Sequence, residues 1–134
     1  EVTDIELWFE NGKVVKETAT KNQELLTAML DTDAGARYVG EFGIGTNYSI
    51  TRFTKNMLFD EKMGGTIHLA VGAGYPESGS KNDSGIHWDM LCDMNDAEIL
   101  MDGELFYRVG LRQEQQAGSL IMPNFTQHSI IRMV

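Results

Sequence analysis

Asn11-Gly12 separates two runs rich in strand formers, Val2 to Phe9 and Lys13 to Thr20. Both residues tolerate the positive φ of a two-residue type I′ turn, so the chain is predicted to fold back as an antiparallel hairpin with strands near 3–10 and 13–20. Asp102-Gly103, between Ile99 to Met101 and Leu105 to Val109, predicts a second hairpin by the same logic.

Between the hairpins the periodicity changes. Leu25, Leu26, Met29 and Leu30 fall on one face at helical spacing, and Asn22 stands where a capping side chain belongs. A helix over 23–31 follows, with Gly35 soon after it. Met57 to Met63 is a second, short helix candidate. Arg37 to Gly45 alternates loosely around three glycines and reads as extended chain. Thr66 to Val71 and Ile86 to Met90 read as strands, Gly72 to Asp83 as a loop, and 119–134 as one or two strands around Pro123-Asn124. Hairpins outnumber strand–helix–strand units. The expected class is therefore α+β: β-rich, a largely antiparallel sheet, one or two helices.

At 134 residues the chain is expected to form a single domain, 1–134. Eleven Lys and Arg against twenty Asp and Glu give a net charge of −9, with no basic tract, so a nucleic-acid or anionic-membrane partner is not expected. No apolar window is long enough for a transmembrane helix. The start shows no basic segment followed by an apolar run, so no secretory leader is expected. Cys92 is the lone cysteine, which fits a reducing compartment such as the cytoplasm, and it reads as a small buried hydrophobe.

Three histidines are present, His68, His87 and His128. In Ile86-His87-Trp88-Asp89-Met90 a strand projects His87 and Asp89 to one face, where an imidazole and a carboxylate can share a divalent cation. A hydrogen-bonded His–Asp pair is the plainer alternative. His68 lies inside the apolar run Thr66 to Val71, where a ligand and a satisfied core histidine are both open readings. Glu41 sits among small and apolar neighbours, and a carboxylate so placed is normally paired or metal-bound if it is buried. Tyr75, before Pro76, offers a phenol to a metal or an oxyanion, or serves only the turn. The glycines of 40–45 lack the spacing and the Lys-Ser or Lys-Thr of a phosphate loop, and no serine sits in a nucleophile elbow.

Taken together, Thr32-Asp33-Ala34-Gly35-Ala36-Arg37-Tyr38-Val39-Gly40-Glu41, Ile67-His68-Leu69-Ala70-Val71-Gly72-Ala73-Gly74-Tyr75-Pro76 and Ser84-Gly85-Ile86-His87-Trp88-Asp89 resemble the M29 family of metallo-aminopeptidases over roughly residues 1–109. The resemblance implies a pair of divalent ions, zinc or cobalt, held by Glu41, His68, His87 and Asp89. Glu41 would lie between the ions and Tyr75 in the site as a catalytic group. It implies a peptide substrate, hydrolysis of N-terminal residues and a homodimer. Family members are much longer, and their further glutamate ligand, in a Gly-Glu-Val-Phe-Thr-like motif, has no counterpart in this sequence. The chain thus resembles the C-terminal part of the catalytic region. Two other readings compete: a non-catalytic or incomplete metal-binding domain, and an iron oxygenase using His87, Asp89 and His128.

Overall fold

A computed structural model describes residues 1–101, 104–109 and 129–133. Strand β1 (Ile5–Glu10) turns at Asn11-Gly12 into β2 (Lys13–Thr18). The turn residues have φ of 50° and 78°, the two positive values that a type I′ turn requires. Helix α1 (Gln23–Leu30) follows, then β3 (Val39–Ile44), the short helix α2 (Met57–Asp60), β4 (Thr66–Gly72), β5 (His87–Asp93), β6 (Glu98–Met101), β7 (Glu104–Arg108) and β8 (Ser129–Met133). The loop after β4 holds one 3₁₀ turn at Pro76–Ser78.

Among the described residues the strands form two three-stranded antiparallel sheets, ordered β2-β1-β8 and β3-β4-β5, and an antiparallel β6-β7 pair. The α+β, β-rich, antiparallel class is as expected. The turn at Asp102-Gly103 and the segment around Pro123-Asn124 lie outside the described residues. No helix among the described residues is long and apolar enough to cross a membrane.

The core forms between the sheets. β1 contributes Ile5, Leu7 and Phe9, α1 contributes Leu26 and Leu30, and β4 contributes Ile67, Leu69 and Val71. Met90 and Cys92 of β5 complete it, so Cys92 is the buried hydrophobe expected of it. Two local expectations at α1 fail. Asn22 has a left-handed backbone (φ 58°) and makes no side-chain cap; its amide donates to the Glu1 carbonyl instead, at 2.6 Å. Leu25 stays exposed, because an eight-residue helix packed by Leu26 and Leu30 turns only a narrow stripe inward.

β4 is the middle strand of its sheet and is buried along its whole length. Ile67, Leu69 and Val71 point into the core, so Thr66, His68 and Ala70 project from the opposite face. That second face carries the candidate metal donors.

Candidate metal centre

The register of the sheet brings the donors together. Glu41 pairs with Ala70, and Ala70 pairs with Asp89, so one row across β3, β4 and β5 carries a carboxylate at each end and a methyl between. His68 lies two residues along β4 from Ala70, and His87 two residues along β5 from Asp89, on the same face.

Glu41 reaches this face through a β-bulge. Val39 pairs with Val71 and Glu41 with the adjacent Ala70, which leaves Gly40 as the extra residue. Val39 packs on the core, as do Phe42 and Ile44. Without the bulge, strand alternation would put Glu41 on the core side with Val39. Gly40 also allows a close approach, since a Cβ there would lie 2.4 Å from the Ala73 carbonyl oxygen.

The resulting distances are short and similar. His68 Nε2 lies 3.4 Å from Glu41 Oε1, His87 Nε2 lies 3.3 Å from Glu41 Oε2, and His87 Nε2 lies 3.6 Å from Asp89 Oδ1. Two donors bound tetrahedrally to one zinc at ordinary bond lengths stand about 3.4 Å apart. The observed spacing suits ligands around one cation, as it also suits a His–carboxylate ion pair.

The hydrogen bonds argue the same way. His87 Nδ1 is 2.6 Å from the Ala73 carbonyl oxygen, which can only accept, so Nδ1 carries a proton. In the neutral ring Nε2 then presents a lone pair toward two carboxylates, an arrangement that calls for a cation between them. Asp89 Oδ1 and His68 Nδ1 are buried and have no hydrogen-bond partner among the described residues. Burial pushes the Asp89 carboxyl above its ordinary range; the nearby Glu41 and Glu61 add to this, while His87 and His68 oppose it. Buried polar atoms left this way are costly unless an ion satisfies them. The donor set therefore fits divalent metal.

Two donor groups stand out: Glu41, His87 and Asp89, and Glu61, His68 and Asp89, each with ligand atoms within 4.8 Å of one another. Asp89 is common to both. Glu61, directly after α2, is a member the sequence reading missed. Its signal was faint: an acidic residue in Asp60-Glu61-Lys62, indistinguishable from a solvated charge run. Asp60, buried beside it, accepts hydrogen bonds from the Thr54 amide and hydroxyl, both at 2.8 Å, and pins the segment. Lys62 Nζ sits 2.5 Å from Glu61 Oε1.

Tyr75 lies beside this cluster, half exposed, its ring centroid 5.1 Å from that of His87. Asp89 also lines a groove of about 610 Å³ walled by Val2, Ile5, Leu25, Met57, Trp88 and Met90. His128 lies outside the described residues.

A sheet face gathering two imidazoles and three carboxylates has the donor set of a metal-binding protein. The chain belongs to the thermophilic metalloprotease family M29, whose family model matches residues 1–110. It is 34% identical to Aminopeptidase 2 of Geobacillus stearothermophilus, in a match covering 73% of this chain and 28% of that protein. It is 31% identical to Aminopeptidase AmpS of Bacillus subtilis (strain 168), covering 77% and 30%. Aminopeptidase T of Thermus aquaticus is 33% identical, covering 74% and 28%. The solved structure of wild-type AmpT from Thermus thermophilus superposes with a TM-score of 0.54 at 30% identity, over 65% of this chain and 25% of that one. The matched region thus spans less than a third of these relatives.

Proposed function

We propose that the chain is the metal-holding part of a two-metal aminopeptidase that hydrolyses N-terminal residues from peptides. The observation that carries this reading is the convergence of Glu41, Glu61, His68, His87 and Asp89 on one sheet face, with 3.3–3.6 Å between the paired donors. Glu41, whose two oxygens face different imidazoles, and Asp89, common to both donor groups, are suited to lie between two ions. The family membership and the names of the relatives support the reaction class.

Bound dications would supply Lewis acidity and an activated water. The chain's own residues do the rest. Ala73 fixes the His87 tautomer with Nε2 free to ligate. The three carboxylates offset dication charge. Tyr75, whose ring lies beside that of His87, would donate its hydroxyl to the oxygen of a peptide carbonyl as negative charge develops there. The groove beside Asp89, lined by Glu1, Thr3 and Asp4 as well as by apolar side chains, would be open to part of a peptide substrate. Zinc or cobalt as the metal, a cytoplasmic location and a homodimer belong to the same proposal. The exposed Leu58 and Phe59, just before Glu61, support self-association.

The deciding experiment measures metal content and aminoacyl-anilide hydrolysis after chelation and reloading with zinc or cobalt. The reading requires about two ions per chain, activity restored by metal, and loss of both in His87→Ala. Tight binding of two ions without hydrolysis would favour a non-catalytic metal-binding domain. Iron dependence abolished by His128→Ala would favour an oxygenase.

A further inference from the structure

Thr32-Asp33-Ala34-Gly35 carries none of the metal donors, yet the turn between α1 and β3 is tied to the centre. We propose that Asp33 is a positioning residue that fixes the start of β5 and, through it, the His87 ring. Only its consequence for metal binding rests on the two-metal reading.

The Asp33 carboxylate is exposed but fully engaged. Oδ1 accepts from the Gly35 amide at 2.9 Å, the ordinary local turn contact. The remaining contacts reach across fifty residues of sequence. The Ser84 hydroxyl lies 2.9 and 3.0 Å from the two oxygens, and the Gly85 amide donates to Oδ2 at 2.6 Å. The Gly85 amide foremost, then the Ser84 hydroxyl, hold the Asp33 carboxyl below its ordinary range. Ser84 Oγ in turn accepts from the Ile86 amide at 3.2 Å. Three consecutive residues, Ser84 to Ile86, are thereby held immediately before His87.

The anchorage continues to the ring. The Ala73 amide donates to the Ile86 carbonyl at 2.7 Å, and the Ala73 carbonyl accepts the His87 Nδ1 proton. Asn82 adds a second tie, its amide donating to the Gly35 carbonyl at 2.9 Å and the Gly72 carbonyl at 2.6 Å. The loop between Ala73 and Ile86 contains Gly74, Gly79 and Gly85 and carries Tyr75. A segment with that much glycine is conformationally free unless pinned. The Asp33 carboxylate and the Gly35 carbonyl pin it from the same turn, and the charged acceptor makes the stronger tie.

The test compares the full chain with Asp33→Ala and with Arg37→Gln. Arg37 is near the same turn but reaches Glu17 and Asp31, away from the loop. Nitrogen-15 NMR of the metal-free protein reads the His87 tautomer. The native chain should show the Nδ1-protonated form, and Asp33→Ala a mixture, while Arg37→Gln stays native. Zinc affinity by chelator competition should fall about tenfold in Asp33→Ala, the scale of lost outer-sphere support, and less in Ser84→Ala, which keeps the Gly85 contact. Should Asp33→Ala fail to fold, Ser84→Ala decides by the same two readouts. An unchanged tautomer and unchanged zinc affinity would overturn the proposal, as would losses no larger than those in Arg37→Gln. If the native chain binds no zinc while the tautomer still responds to Asp33→Ala, positioning stands and the two-metal reading falls.

Discussion

The two three-stranded sheets are built alike and used differently. In β2-β1-β8 the central strand alternates simply: Ile5, Leu7 and Phe9 are buried, while Glu6, Trp8 and Glu10 are partly or fully exposed. In β3-β4-β5 the central strand is buried on both faces, and its second face holds His68 near three carboxylates, Glu41, Glu61 and Asp89. One sheet stabilises the fold with an apolar face. The other also carries unpaired polar atoms that an ion would satisfy. Stability and metal binding should therefore separate by sheet.

The largest effect should come from the donor common to both groups. Asp89→Asn should weaken metal binding by more than about 100-fold, beyond the loss typical for outer-shell partners, and abolish metal-dependent hydrolysis. The melting temperature of the metal-free protein should not fall, because burial already disfavours the ionised carboxylate. Calorimetric metal titration and thermal melts check both halves.

Leu7→Ala is the mirror image. Leu7 is fully buried, so truncation should cost about 2–5 kcal/mol of stability by urea unfolding. Metal affinity of the remaining folded protein should be unchanged. A Leu7→Ala protein that loses metal in its folded state would break the separation.

Gly43→Ala probes the seam between the two roles. A Cβ at Gly43 would lie 2.1 Å from His68 Cε1, so the ring must shift. About a tenfold loss of metal affinity is expected, as for other changes that misalign a ligand. Stability should change less than in Leu7→Ala.

The smallest effect is a pH dependence. The folded pKa of Asp33 is lowered, so its contribution to stability is complete above the ordinary carboxylate range. That contribution should fade as pH falls through the lowered value. Subtracting acid melts of Asp33→Asn from those of the native chain should reveal a difference that vanishes at low pH.

Much of this was legible in the sequence because it rests on local rules. The Asn11-Gly12 turn, the alternation of β1, and His87 and Asp89 two residues apart each follow from backbone geometry alone. What local rules could not supply was Glu61, whose place depends on Asp60 anchoring a segment distant from the strands. Asn22 misled for a related reason: a side chain suited to a cap donated instead to the Glu1 carbonyl, a partner from outside the helix. The side of the sheet that Glu41 occupies was equally hidden, because period-two reading places Val39 and Glu41 together and a one-residue bulge separates them. The convergence of Glu41, His68, His87 and Asp89 was expected only from a family likeness. Sequence spacing alone could not choose between ligands and satisfied polar side chains.

The extra residue at Gly40 sets the parity of the strand end beyond it. Flattening the bulge with that residue kept in the strand would leave the composition untouched yet swap inside for outside, sending a carboxylate toward Leu69 and Val71 and a phenylalanine toward the histidines. Removing Gly40 altogether would instead leave Glu41 opposite Ala70 by plain alternation. The donor set of this face thus depends on how one extra residue is accommodated, so a further single-residue insertion in this stretch should be tolerated far less well than loss of Gly40.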